Sequence, residues 1–177
     1  MSSESAKPAV LGGGCFWCIE AVFQHVEGVN QVLSGYAGGD TPDPDYRSVC
    51  TGTTGHAEVV QVEYDPGIVS FEHLLDVFFT IHDPTQLNRQ GNDVGPQYRS
   101  VIFALDAEQK ATAERKVREL QTSGAFRNPI VTEIAGPATF YPAEDYHQRF
   151  FEQNAGQPYC ELIIKPKLEK FRETFSA

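Results

Sequence analysis

Three consecutive glycines, Gly12-Gly13-Gly14, separate a short apolar run, Pro8-Ala9-Val10-Leu11, from a stretch in which Ile19, Val22, Phe23 and Val26 recur at helical spacing until Gly28. That order predicts a strand, a glycine turn and a helix, with Cys15 at the helix's opening turn. Unpaired backbone N–H groups and the positive end of the helix dipole gather at such a point, so the expectation is a thiol of lowered pKa, held as its nucleophilic thiolate. The competing use of a cysteine is to pack as a small buried hydrophobe. Cys18 follows one helical turn later and shares a face with Cys15, close enough in principle to close a disulfide. Phe16 and Trp17 lie between them and serve either the core or a pocket whose aromatic faces receive a methyl or thioether group.

Further along, Val29 to Tyr36 reads as a strand, and Gly38 to Asp45 as a loop that leads to Tyr46 and Cys50. Val60, Val62 and Tyr64 alternate with Val59, Gln61 and Glu63, giving a strand with one face more apolar than the other. Ser70 can cap a helix carrying Phe71, Leu74, Leu75, Phe78 and Phe79. His82 to Gln97 is polar and glycine-bearing, which predicts a long surface loop with a job to do. Tyr98 to Leu105 reads as a strand, Asp106 caps a helix to about Thr122, and Ile130 to Ile134 and Ala143 to Gln153 read as a strand and a helix. The last twenty or so residues read as an irregular tail with a short basic helix near Lys165 to Arg172. The expected architecture is α+β: a two-layer sandwich, ferredoxin-like β-α-β-β-α-β with a mixed sheet and extra helices. It forms one domain over 1–177, with a core at about 8–155 and a tail at about 156–177.

The chain has 177 residues, a formal charge of −10 and a mean hydropathy of −0.33. This charge has the wrong sign for gripping phosphates or an anionic membrane. No apolar run is long enough for a membrane span, and the start lacks the basic-then-apolar order of a signal peptide, so the expected location is cytoplasmic. Four cysteines are too few for a secreted disulfide scaffold and read as reactive or metal-binding thiols. His56-Ala57-Glu58 together with a Cys-x-x-Cys brings a zinc deaminase to mind, but the order is reversed and no second cysteine pair completes a four-ligand site, so no metal is expected. Glu58 reads instead as a carboxyl group at the mouth of an apolar strand: desolvated there, it stays protonated near neutral pH and can give up a proton, whereas at a solvated strand edge it is an ordinary charge.

Five separated blocks carry a family resemblance: Gly14-Cys15-Phe16-Trp17, Ser34-Gly35-Tyr36-Ala37-Gly38-Gly39, Gly52-Thr53-Thr54-Gly55-His56-Ala57-Glu58-Val59, Asp93-Val94-Gly95-Pro96-Gln97-Tyr98-Arg99-Ser100 and Ala143-Glu144-Asp145-Tyr146-His147-Gln148. In this order, from about Leu11 to Leu168, the chain resembles peptide methionine sulfoxide reductases of the A family. The resemblance implies that Cys15 attacks the sulfoxide sulfur while Glu58 protonates its oxygen, assisted by Tyr46 and Tyr98, with Asp93 a further polar position. Phe16 and Trp17 match the aromatics that receive the substrate's methyl group. A sulfenic acid left on Cys15 then condenses with a second thiol. Cys160 matches the resolving cysteine of the family's C-terminal segment, Cys18 is an extra thiol and its rival, and Cys50 reads as structural. Asp145, Tyr146 and His147 read as mainly structural. The resemblance further implies methionine S-sulfoxide, free or in proteins, as substrate and thioredoxin as reductant, with no bound cofactor; the chain is expected to act as a monomer.

Overall fold

In the computed structural model, which describes residues 7–175, the strand β1 (Ala9–Gly12) is buried along its whole length. It lies at the middle of a six-stranded sheet ordered β7-β6-β1-β3-β2-β8. β2 (Val29–Ala37) and β3 (Ala57–Tyr64) form the longest antiparallel pair, β1 runs antiparallel to both β3 and β6 (Val101–Phe103), and β8 (Tyr141–Pro142) closes one edge antiparallel to β2. β7 (Glu133–Ala135) is parallel to β6 and makes the sheet mixed.

Alternation along the strands divides the sheet into two apolar faces. Leu11, Val60, Val62 and Ile102 face the main core, which α1 (Phe16–Phe23) and α3 (Phe71–Ile81) cover. Val10, Val59, Val101 and Phe103 face a smaller cluster roofed by Ala138 and Phe140. Glu58 is offset by two residues from Val60 and therefore enters the main, helix-covered face, directly across the ladder from Tyr36.

The helix starts follow the expected capping chemistry. The Ser70 side chain accepts the amide of His73 at 3.0 Å, and Asp106 accepts that of Gln109 at 2.8 Å to open α4 (Ala107–Ser123), which ends at Gly124 with φ +79°. A reciprocal cap between Asp45 and Ser48 makes a short helix, α2 (Tyr46–Cys50), out of what reads in sequence as the end of a loop.

Four expectations need correction. First, α1 stops at Phe23 and reaches Gly28 through turns. Second, the stretch from Ala143 to Gln153 is broken into a short turn, Asp145–His147, and α5 (Phe150–Asn154), because Arg149 takes a left-handed φ of 55° while its amide donates to the buried Glu20 carboxylate at 2.7 Å. Third, the segment 82–97 is not plain loop: β4 (Arg89–Gln90) and β5 (Asp93–Val94) pair within it.

Fourth, the C-terminal segment is helical, not irregular. A wide turn over Cys160–Ile164, in which the amide of Lys165 reaches back to the carbonyl of Cys160, continues into α6 (Lys165–Phe175). The wide turn makes room where Pro166 has no N–H to give. Cys160, Ile164, Leu168 and Phe171 all point into the main core, so this segment is part of the packed body. No described helix is long and apolar enough to cross a membrane, and the first residues, on which the leader reading rests, lie largely outside the described ones.

Candidate active site

The glycine turn brings β1 to its end beneath α1 and sets Cys15 as the N-cap residue, in extended conformation. Gly14 has φ +95° and donates to the carbonyl of Tyr98 at 3.2 Å; a β-carbon there would lie 2.9 Å from the Gln90 side chain. One residue earlier, Gly13 allows the His82 ring to approach its backbone, where a β-carbon would lie 2.8 Å from it. Gln90 in turn binds both backbone groups of Asp83, at 2.7 and 3.0 Å, fastening the hairpin against the turn. The sequence therefore needs glycine here so that β4 and His82 can close over the thiol's base.

Glu58 has no exposed surface. Its Oε1 accepts the amide of Phe16, the residue after Cys15, at 3.0 Å, and its Oε2 has no hydrogen-bond partner among the described residues. Burial pushes its pKa up to about 8, and the nearby charge of Asp93 adds to the shift against the opposing Phe16 amide. The carboxyl group is thus a neutral acid at pH 7. Tyr46, opening α2, and Tyr98, ending the turn Pro96–Tyr98, are both held above the usual phenol range, by burial first and by the charge of Glu58 second. They remain phenols and can donate hydrogen bonds.

The expected acidity of Cys15 is overturned. Its thiol is pushed well above the ordinary value, by burial first, then by the neighbouring Cys18 sulfur and by Glu58; only the Trp17 amide works the other way. The helix start is present, but a desolvated sulfur beside a carboxyl group loses more than the dipole returns. Cys18 is shifted down instead, chiefly by the adjoining Cys15 thiol, helped by the Lys167 ammonium and by the Tyr159 hydroxyl 3.6 Å from its sulfur.

Trp17 is partly exposed. It stacks on Phe150 with ring centroids 3.7 Å apart and planes at 6°, and donates through Nε1 to Nδ1 of His147 at 3.0 Å. Phe16 is fully buried against Tyr36, Tyr46 and His147. Asp93 accepts the Tyr159 hydroxyl at 3.0 Å and, with Cys15, Cys18, Gln90, Leu162 and Lys167, lines a cavity of about 580 Å³. Glu58, Trp17, Tyr46 and Tyr98 lie outside that lining. A second cavity, of about 960 Å³, adjoins the first: it is lined by Phe79, Leu120 and Phe126 and shares Gln90, Pro166 and Lys167 with it.

Cys160 is fully buried and outside the cavity lining. Cys50, read as structural, is exposed at the end of α2. All four cysteines are free thiols, and among the described residues no group of three His, Cys, Asp or Glu is placed to hold a metal ion.

Sequence reasoning missed several supports. Glu144 accepts the Tyr36 hydroxyl at 2.8 Å and the Tyr46 amide at 2.9 Å, fixing α2 to the sheet. His147, read as structural, is the acceptor that orients Trp17, and Gln148 binds both backbone groups of Ser34. The Ala143 to Gln148 block was the available signal, a run of polar side chains too dense for a simple amphipathic helix. Tyr159 and Lys167 gave no signal short of their tertiary neighbours.

The sequence matches the model of the family described as peptide methionine sulfoxide reductase over residues 7–177. A relative from Polynucleobacter asymbioticus, named peptide methionine sulfoxide reductase MsrA, is 56% identical over 169 residues, 96% of this chain and 89% of its own. Among solved structures, Mxr1 from Saccharomyces cerevisiae in reduced form is similar with a TM-score of 0.79 and 38% identity, covering 90% of this chain and 91% of Mxr1. Mxr1 in complex with Trx2 is similar at a TM-score of 0.60 and 27% identity, over 82% of this chain and 86% of that one. With the acid and the thiol meeting at one helix start and the match running through the described chain, this protein belongs to the peptide methionine sulfoxide reductase family.

Proposed function

We propose that the chain reduces methionine S-sulfoxide, free or in proteins, to methionine, with Cys15 as nucleophile and Glu58 as acid. The observation that carries this reading is the neutral, fully buried carboxyl group anchored at 3.0 Å to the peptide that follows Cys15. A sulfoxide oxygen is a poor leaving group until it is protonated. Glu58 gives its proton to that oxygen as the Cys15 sulfur attacks the sulfoxide sulfur, and the thiol proton passes to the carboxylate left behind. The hydroxyl oxygen then moves from the substrate sulfur to the Cys15 sulfur as the new S–S bond breaks and its electron pair returns to the substrate, so oxygen ends on Cys15 as a sulfenic acid and methionine departs. Because both groups start neutral, the step needs no standing thiolate, which fits the raised Cys15 pKa.

Tyr46 and Tyr98 donate hydrogen bonds to the developing oxyanion. Trp17, held flat by Phe150 and His147, receives the methyl group above the buried Phe16. A second cysteine then takes the sulfenic acid to a disulfide; the resemblance favours Cys160, with Cys18 the alternative. Reduction by a thioredoxin is supported by the complex of the yeast relative with Trx2, and a cytoplasmic setting fits thiols that must be returned to the reduced state. The run β6-β1-β3-β2 supports a ferredoxin-like core.

Single-turnover release of methionine from a sulfoxide peptide, without reductant, tests the reading. Wild type is expected to release one equivalent and Cys15→Ser none; wild-type turnover by Cys15→Ser sinks it.

A further inference from the structure

The resting enzyme has Cys18 within the first turn of α1, where the amide of Cys18 donates to the carbonyl of Cys15 at 3.1 Å. The two side chains are one turn apart and line one cavity of about 580 Å³. Side chains so spaced have β-carbons about 5–6 Å apart, so a disulfide needs only a tightening of that turn. The C-terminal segment supplies Tyr159, whose hydroxyl sits 3.6 Å from the Cys18 sulfur and is itself bound to Asp93, and Lys167, whose ammonium is anchored to the carbonyl of Ile81 at 2.9 Å. Cys160 has no exposed surface, faces the core with Ile164 and Leu168, and is outside the cavity. For Cys160 to reach Cys15, the wide turn at 160–164 would have to open and give up that packing.

We propose that Cys18, and not Cys160, attacks the Cys15 sulfenic acid, closing a Cys15–Cys18 disulfide in the cavity, with Lys167 as a positioning residue that favours the attacking thiolate. This rests on the oxygen-removal reading above. In the step, an electron pair of the Cys18 sulfur forms the S–S bond, and the S–O bond of the sulfenic acid breaks. Hydroxide leaves and takes up the proton Cys18 has lost, so one water is formed. Cys18 is oxidised and Cys15 reduced by the same amount, and no outside oxidant is needed. The charged and titratable groups facing Cys18 are Cys15 on its own helix, Tyr159, Cys160 and Lys167 from the C-terminal segment, Asp93 from the hairpin and Glu58 from β3. Lys167 is the cation of that set.

The test is mass mapping of the wild-type enzyme, quenched by acid and alkylation at the earliest times after one equivalent of methionine sulfoxide without reductant. Expected is a peptide holding both Cys15 and Cys18 that has lost two hydrogen atoms, with Cys160 alkylated. Cys160→Ala should form the same link, Cys18→Ser should keep a sulfenic acid that dimedone traps, and Lys167→Met should move the pH profile of sulfenic acid decay upward by about half a unit to one unit. A Cys15–Cys160 cross-linked peptide at the first time point, or a persistent sulfenic acid in wild type, overturns the proposal while the release of methionine upholds the reaction. No methionine at all would overturn the reaction itself.

Discussion

The carboxyl group of Glu58 is held through one oxygen by the backbone amide of Phe16, at 3.0 Å, and leaves its other oxygen without a partner among the described residues. The strand that carries the acid and the helix that carries the nucleophile are thereby locked by a single bond, with the free oxygen available to a substrate. An unpartnered buried oxygen costs about 1–3 kcal/mol, which the fold tolerates where the chemistry uses the group.

Glu58→Gln keeps an acceptor for the Phe16 amide and removes the proton. Methionine release in a single turnover should fall by about 10²–10⁴-fold, with unchanged near-ultraviolet circular dichroism. A loss under threefold would remove Glu58 from the acid role.

The acid's pKa of about 8 sets a pH limb. The first step should be fastest with the carboxyl group protonated and should slow as pH rises through about 8. Single-turnover rates between pH 6 and 9.5 in wild type and Glu58→Gln check this, because the limb should vanish in the variant.

Burial raises the Glu20 carboxyl group from 4.5 to about 7. A group raised in the folded state binds more protons there than in the unfolded chain, so its contribution is full below the unfolded pKa and is lost as pH climbs through the folded one, here from about 4.5 to about 7. Glu20→Gln should therefore gain stability over wild type on going from pH 5 to pH 8, on the order of 1–3 kcal/mol. Urea unfolding at the two pH values reads this directly, and a constant difference between variant and wild type would refute it.

Two glycines separate backbone strain from close approach. Gly124→Ala meets only the cost of φ +79°, with nothing within 4 Å of the new methyl group, and should lose about 1 kcal/mol. Gly14→Ala adds a contact 2.9 Å from Gln90 to a φ of +95° and should lose about 2–4 kcal/mol. Denaturant midpoints should rank them in that order, and equal losses would show that the hairpin yields freely.

Trp17→Ala removes the ring that Phe150 and His147 hold in place. KM for a sulfoxide peptide should rise about tenfold or more, with a smaller fall in kcat, since about 1.4 kcal/mol of apolar contact corresponds to a factor of ten. Steady-state kinetics that show kcat alone falling would argue that Trp17 positions the catalytic groups instead.

Much of the site's skeleton is written in local chemistry. Gly12-Gly13-Gly14 forces the turn that delivers Cys15 to the start of a helix, Ser70 and Asp106 cap as their side chains dictate, and the alternation in β3 puts Glu58 on the same face as Val60. The spacing of Cys160, Ile164, Leu168 and Phe171 also carried a helical signal, masked by the lysines and by Pro166.

What local chemistry does not reach is the ionisation and the partnering of those groups. A helix start favours a thiolate in isolation, yet burial, then Cys18 and Glu58, reverse the sign for Cys15, because desolvation depends on everything packed around the sulfur. Cys18 is shifted down chiefly by Cys15 beside it, with Lys167 and Tyr159, more than 140 residues away along the chain, adding to the shift, and Trp17 is oriented by His147, 130 residues away. The sequence by itself determined which residues could carry the chemistry; only the tertiary structure decided which thiol is acidic and which carboxyl group keeps its proton, since electrostatic energies are set by distance in space and by access to water.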